Sequence, residues 1–161
     1  MADTIKVAMA DLKVGRAPDT LISYGLGSCV GIAIYDSTTK IGGLAHIMLP
    51  NSTQSRAGEN NAKFADTAIP ILIKEVVRLG AIHSRLVAKI AGGSQMFNFS
   101  SSNDIMRIGE RNAEAVRAIL KKEGLRLIAE DVGGTYGRTV ELILDTGVYK
   151  IKTIDKGCKN M

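Results

Sequence analysis

Two residues of this sequence could together perform thiol chemistry. Cys29 lies in SYGLGSCVG at residues 23–31, where glycines precede and follow it. A free thiol has a pKa near ~8.5 and is mostly protonated at neutral pH, so it needs a neighbouring base or cation to become a good nucleophile. The chain contains only two histidines, and His46 lies in GLAHIMLP at residues 43–50. An imidazolium beside Cys29 would stabilise the thiolate and later protonate a leaving group.

A third group and a set of backbone amides would complete such a site. A catalytic imidazole needs a partner that orients its ring, and Ser23 is a candidate because its extended segment leads into the bend that carries Cys29. Glycines let the backbone turn sharply and leave nearby amides free to bind a developing oxyanion. We therefore predict an oxyanion-binding role for the backbone at Gly27 and Ser28.

Other interpretations of Cys29 remain open at this point. A lone cysteine in a strand-like segment is often a small buried core residue. A redox centre would need a resolving thiol, for which only Cys158 in the segment KGCKN is available. The sequence has no pair of cysteines and histidines with the spacing of a zinc site, so we expect no metal.

A second glycine-containing segment, AGGSQMF at residues 91–97, places apolar side chains in a polar loop. Gly92 and Gly93 end a buried-looking strand, and Met96 and Phe97 follow. These two side chains either anchor their own loop or contact a substrate or partner.

The elements between Cys29 and His46 decide whether the two side chains meet. CVGIAIYD and IGGLAHIMLP predict two antiparallel strands around the turn DSTTK. A two-residue turn would place Cys29 directly opposite His46. A four-residue turn would place Gly31 opposite His46, with Cys29 diagonal to it on the same face. A turn of intermediate length would separate the side chains on opposite faces and would exclude the site.

The whole pattern predicts an α/β fold in a single domain. Two helical segments are expected at KFADTAIPILIKEVVRLG and DIMRIGERNAEAVRAILKKEG, among at least seven strand-like segments. We predict a mixed, mostly antiparallel β-sheet packed against two main helices as a layered sandwich. The domain is expected to span residues 1–155, followed by a short polar tail at 156–161.

Composition narrows the class of protein. The 161 residues include 45% hydrophobic and 23% charged residues, which is ordinary for a soluble domain. The net charge of +5 favours acidic partners, but no basic block carries the interleaved aromatics that would indicate nucleic-acid binding. No segment approaches the ~20 apolar residues of a membrane span or has the form of a signal peptide. We expect a cytoplasmic protein without direct membrane insertion and without a cofactor.

Several of these segments together resemble the chemoreceptor glutamine deamidase family, CheD, over roughly residues 5–150. The blocks that carry the resemblance are GLGSCVGIAIYD, LAHIMLP, KFADTAIPIL, AKIAGGSQMF, IGERNAEAV and AEDVGGTYGRTVEL. The resemblance implies a nucleophile at Cys29, a general base at His46 and a third catalytic position at Ser23. That third position is commonly threonine in the family, so serine here keeps the hydroxyl but lacks the methyl group that restricts the rotamer.

The resemblance also implies a reaction and partners. The family hydrolyses particular glutamine side chains on the cytoplasmic helices of bacterial chemotaxis receptors to glutamate and ammonia, which tunes chemotaxis signalling. A Cys thiolate/His mechanism with a thioester intermediate is expected, and weak methylesterase activity on receptors is compatible with it. A CheC-type phosphatase of phosphorylated CheY is an expected partner. Two alternatives remain: a non-catalytic adaptor that regulates such a phosphatase, and a thiol redox protein.

Overall fold

The computed structural model describes residues 2–53, 58–96 and 107–161. Within these ranges the chain forms two α-helices and ten strands. In chain order they are β1 (Thr4–Lys6), β2 (Asp11–Arg16), β3 (Thr20–Leu26), β4 (Val30–Asp36), β5 (Ile41–Ile47), α1 (Ala65–Leu79), β6 (Val87–Gly92), α2 (Ile108–Lys122), β7 (Arg126–Val132), β8 (Arg138–Ile143), β9 (Val148–Thr153) and β10 (Gly157–Asn160). None of the helices in the described ranges is long and apolar enough to cross a bilayer.

The strands form two five-stranded sheets. The first has the order β1-β3-β8-β9-β10 and the second the order β2-β5-β4-β6-β7. Neighbours are antiparallel except for the parallel pairs β1/β3 and β6/β7. The predicted α/β class, the mostly antiparallel pairing and the two covering helices are confirmed. The strands divide into two sheets rather than one because β4 and β5 are buried along their whole length and need a layer on each face.

The core is correspondingly divided into two layers. The two helices pack on one face of the second sheet, where residues such as Ile32, Ile69 and Val116 are fully buried. The first sheet packs on the other face, where Leu21, Leu44, Val140 and others meet. The molecule is therefore a sandwich of sheet, sheet and helices, and any side chain between the two sheets is shielded from solvent.

The hairpin of β4 and β5 has a four-residue turn held by Asp36. The carboxylate of Asp36, which is fully buried, accepts hydrogen bonds from the amides of Thr38 (3.0 Å) and Ile82 (2.9 Å) and from the Arg85 guanidinium. Burial by itself would raise the pKa of Asp36, but these hydrogen bonds, that of Arg85 foremost, hold it well below its usual range. Lys40 closes the turn with φ 57.

The chain end differs from its prediction. Residues 157–160, assigned from sequence to a polar tail, form β10 and pair with β9, as in the contact of Cys158 with Lys152. The prediction missed this strand because its side chains are all exposed and polar, so that no alternation of buried and exposed positions marks it. The pairing relies on backbone hydrogen bonds at the edge of the first sheet.

Candidate active site between the two sheets

Three elements bring the predicted catalytic side chains into the space between the sheets. Cys29 lies in the bend that precedes β4, His46 is on β5, and Ser23 is on β3 of the opposite sheet. All three are buried, with exposed fractions of 7%, 1% and 0%. In the hairpin register Gly31 lies opposite His46, which confirms the four-residue-turn alternative. Cys29 precedes Gly31 by two residues and packs within the cluster between the sheets, so it lies on the same face of the second sheet as His46.

The hydrogen bonds of Ser23 fix the tautomer of His46. The Ser23 hydroxyl oxygen lies 2.6 Å from the carbonyl oxygen of Val7 and 2.8 Å from Nδ1 of His46. A carbonyl oxygen can only accept, so the single hydroxyl proton is donated to Val7 and Ser23 accepts from the Nδ1–H group of His46. The proton of the neutral ring is then on Nδ1. Nε2 is left as a buried acceptor with no hydrogen-bond partner among the described residues.

Burial keeps both members of the Cys29–His46 pair uncharged. It lowers the pKa of His46 to about 4. It also raises the pKa of the Cys29 thiol, although a hydrogen bond from the Cys29 backbone amide lowers that pKa in part. At neutral pH the resting pair is therefore imidazole and thiol. Forming the thiolate–imidazolium pair expected from sequence therefore requires that the desolvation cost of separating the two charges be offset.

The bend around Cys29 is held by three carbonyl contacts. The carbonyl oxygens of Gly27 and Cys29 accept hydrogen bonds from the amides of Ser94 (2.9 Å) and Gly93 (2.8 Å). The third, that of Ser28, accepts from a side chain of α2. The amides of Gly27 and Ser28 donate no hydrogen bond to any described residue. Among the described residues the bend thus has anchored carbonyl groups and no acceptor for these two amides, which is the arrangement that an oxyanion site requires.

Glycines let the second loop approach this bend closely. A Cβ atom on Gly92 would lie 2.2 Å from the carbonyl oxygen of Cys29, and Gly92 has φ 116, so only glycine fits there. The segment 91–96 therefore forms part of the wall beside the nucleophile rather than a separate turn.

Met96 lies over the same bend. A Cβ atom on Gly27 would be 3.1 Å from Cγ of Met96, and the Met96 side chain is nearly half exposed. This places Met96, one of the two residues predicted to line a substrate or partner loop, between the nucleophile bend and solvent. The other, Phe97, lies outside the described residues.

Two buried polar residues were missed or misplaced by the sequence analysis. Asn112 of α2 is fully buried and reaches the bend that carries Cys29. The turn-like segment GGTYGR at residues 133–138 predicts a surface position for Arg138, but Arg138 is buried. Its guanidinium donates to the Ser94 hydroxyl (2.8 Å) and forms an ion pair with Asp131 (3.2 Å). Its ion pair and hydrogen bonds compensate for burial of the charge.

Neither Cys29 nor His46 lines either of two open grooves. One, of about 470 Å³, lies between α2 and the end of β7, and the other, of about 780 Å³, runs across the first sheet from Tyr24 and Gly25 towards Ile154. The described residues include no group of three or more acidic, histidine or cysteine side chains arranged to hold a metal ion. Cys29 and Cys158 are both free thiols, and Cys158 is exposed.

Comparisons with known proteins place the chain among named relatives. A family model described as CheD chemotactic sensory transduction matches residues 48–153. A protein of Syntrophomonas wolfei named probable chemoreceptor glutamine deamidase CheD is 52% identical over 98% of both chains. A Desulfitobacterium hafniense protein of the same name is 50% identical over 99% of both. A crystal structure of a Neisseria meningitidis protein of the DUF152 family model has a TM-score of 0.51 at 11% identity, over 82% of this chain and 65% of that one, a likeness of fold alone.

Proposed function

The chain belongs to the CheD family, and on that premise we propose that it deamidates glutamine side chains of bacterial chemotaxis receptors, with Cys29 as nucleophile and His46 as general base. The relatives' names supply the substrate class. The net charge of +5 would favour encounter with an acidic receptor surface.

One observation carries the assignment of roles. The Nε2 atom of His46 is a buried acceptor with no partner among the described residues, in the same inter-sheet space as the Cys29 thiol. A buried acceptor without a partner is costly, and such a cost is typical of a site that uses the atom during a reaction. Its natural partner is the proton that leaves the thiol of Cys29.

The proposed reaction proceeds through two tetrahedral intermediates. Nε2 of His46 takes the thiol proton as Sγ of Cys29 bonds to the glutamine carboxamide carbon, and the carbonyl electron pair moves onto oxygen. The backbone amides of the bend, at Gly27, Ser28 and Cys29, are the proposed donors to that oxyanion. When the carbonyl re-forms, the C–N bond breaks, and the imidazolium gives its proton to the departing ammonia. A water molecule, deprotonated by His46, then hydrolyses the thioester to glutamate and restores the thiol.

Ser23 keeps the imidazole ready for each proton transfer. Holding the Nδ1–H group leaves Nε2 free to accept and return protons. The Ser23 hydroxyl itself is held by the backbone of Val7 and need not change partner during the cycle.

The proposal includes three further elements that follow from the family resemblance. A glutamyl methyl ester presents the same carbonyl to Cys29, so weak methylesterase activity is part of it. A CheC-type phosphatase is its proposed regulatory partner. The proposed place of action is the cytoplasm, where the receptor helices that carry the substrate glutamines lie.

The deciding experiment uses a receptor cytoplasmic fragment with the wild-type protein and the Cys29→Ala variant. Ammonia release and a fragment mass increase from deamidation are expected with the wild type only. Conversion by Cys29→Ala would contradict the mechanism. If neither protein converts the fragment but both bind it, the adaptor role replaces the enzymatic one.

A further inference from the structure

Asn112 joins the two chain segments that carry the catalytic pair. It is a fully buried residue of α2. Its Nδ2 group donates one hydrogen bond to the carbonyl oxygen of Ser28 and one to that of Met48, both at 2.9 Å. Ser28 directly precedes Cys29, and Met48 follows His46 by two residues. A single side-chain amide therefore bridges the nucleophile bend and the end of the strand that carries the base.

The contact with Ser28 also sets the direction of an amide. In a planar trans peptide the C=O of one residue and the N–H of the next point in opposite directions. Because Asn112 holds the carbonyl of Ser28 on the side of α2, the amide of Cys29 must point away from that helix. This agrees with the amide acting on the Cys29 thiol, which lies on the inter-sheet side.

A second contact orients the neighbouring peptide in the same way. The amide of Ser94 holds the carbonyl oxygen of Gly27 at 2.9 Å, which fixes the direction of the Ser28 amide. The hydrogen bond from Ser94 comes from its backbone amide and does not depend on its side chain. Asn112 is the anchor that depends on residue type.

We propose that Asn112 is a positioning residue that aims the Cys29 amide at the oxyanion formed during attack on the substrate carbonyl. This rests on the proposed function for the identity of the substrate, but the orientation of the amide can be tested without it. Asn112 itself contacts no reacting atom. It acts through the Ser28–Cys29 peptide.

The residue type fits this role closely. Two carbonyl oxygens need two donors on one short side chain, and the asparagine amide group supplies both. Aspartate has nearly the same shape but would present acceptors to two acceptors. Alanine would leave both carbonyl groups without this partner. If Asn112 only attached α2 to the sheet, any substitution with the same loss of stability would have the same effect on the reactivity of Cys29.

Val116 provides the matched control for that simpler role. It lies one turn further along α2, is fully buried, and packs in the helix-facing core rather than on the bend. Val116→Ala therefore loosens the same helix without removing a hydrogen bond from the Ser28–Cys29 peptide. Comparison with Asn112→Ala separates loss of positioning from loss of packing.

The experiment measures the reactivity of Cys29 with two reagents, and Cys29→Ala corrects for reaction of the exposed Cys158. A chloromethyl ketone analogue of glutamine loses chloride as Sγ of Cys29 bonds to its methylene carbon, and the oxyanion amides orient and activate its ketone oxygen. A pyridyl disulfide has no carbonyl and reports the thiol alone. In Asn112→Ala we expect the ratio of the ketone rate to the disulfide rate to fall by about 10- to 100-fold, less than or similar to the loss of an oxyanion donor. In Val116→Ala the ratio should equal that of the wild type. An unchanged ratio in Asn112→Ala would overturn the proposal.

A measurement on the wild type covers the case in which Asn112→Ala does not fold. On formation of the ketone adduct, the amide proton of Cys29 should shift downfield in a ¹H–¹⁵N spectrum, because it then donates to the ketone oxygen. No shift would overturn the proposal. If the ratio falls as expected but the wild type converts no receptor glutamine, the positioning role stands and the deamidase function fails.

Discussion

Ser23 and His46 come from different sheets and are joined by a hydrogen bond of 2.8 Å. Because the Ser23 proton is committed to the carbonyl of Val7, this hydrogen bond has a defined direction, from the imidazole to the hydroxyl. The base is therefore held in one tautomer by the packing of one sheet on the other.

Removing the hydroxyl of Ser23 should impair proton transfer while leaving the thiol in place. For Ser23→Ala we expect kcat for receptor deamidation to fall on the order of 10²-fold, the lower end of what general acid–base catalysis contributes. Ser23→Thr keeps the hydroxyl and restricts its rotamer, so it should retain most of the activity. Steady-state ammonia release measures both. Equal losses of kcat in Ser23→Ala and Ser23→Thr would show that activity does not depend on the hydroxyl.

The neutral resting pair predicts how Cys29 responds to pH. Burial raises the pKa of the thiol, so its alkylation by iodoacetamide should be slow at pH 7 and rise through and above pH ~8.5, the ordinary thiol pKa. A thiolate–imidazolium pair would instead give a fast rate with a plateau below pH 7. Intact mass after timed quenching follows the reaction, and Cys29→Ala corrects for alkylation of the exposed Cys158.

His46 should make the fold less stable in mild acid. Its pKa is about 4 in the folded chain, below the ~6.5 of an unfolded one, so the unfolded state binds the proton more readily between these values. The free energy of unfolding should therefore fall as pH drops from about 6.5 towards 4, by roughly 1–2 kcal/mol between pH 7 and 5.

Urea denaturation at pH 7 and pH 5 tests this, with His46→Gln as the comparison. The variant should lose less stability over the interval than the wild type. Asp36 also has a lowered pKa, so its protonation at still lower pH destabilises the fold. Because Asp36 is present in both proteins, its contribution cancels in the comparison. An identical loss in the two proteins would rule out a buried neutral His46 as the cause.

Arg85 should contribute stability rather than activity. Its guanidinium contacts the fully buried carboxylate of Asp36 at 3.0 Å but is itself partly exposed, so water can replace some of the interaction. We expect Arg85→Ala to lower the free energy of unfolding by about 1–3 kcal/mol, because it weakens the pairing of a buried acceptor. Arg78→Ala, which removes an exposed pair with Glu75, should change it by less than about 1 kcal/mol. A similarly small change in the free energy of unfolding of both variants would show that water fully replaces the hydrogen bonds of Arg85 to Asp36.

The hairpin shows how far sequence reasoning could reach at the site. Strand alternation placed Cys29 and His46 on the same face for two of three turn lengths, and the turn itself was undecided. The observed turn needs positive φ at Lys40, a residue that carries no such preference, and it is fixed by the distant Arg85 and Ile82 contacts with Asp36. The residue pattern of the hairpin itself does not reveal these contacts, because their partners lie far away in the sequence.

Asn112 and Arg138 show what was out of reach. The buried face of α2 contains Gly109, Asn112, Val116 and Leu120, a helical spacing that places Asn112 inward and could have identified it. The apolar residues that predict this helix from sequence do not include Asn112, and two of them, Ala115 and Ile119, are only partly buried. Arg138 gave no comparable signal, because its partners lie on separate segments that meet only in the folded chain.

The division of the site between two sheets has a consequence for the folding chain. A compact intermediate with both sheets formed but not yet docked would have Cys29 and His46 on one surface and Ser23 on another. In that intermediate the Cys29 thiol would be exposed and open to oxidation. His46 would lack the hydrogen bond to Ser23 that fixes its tautomer, so the intermediate would not be an active hydrolase. On the proposed mechanism, activity would report the docking step itself, and newly synthesised protein would gain catalysis and protection of its thiol at the same moment.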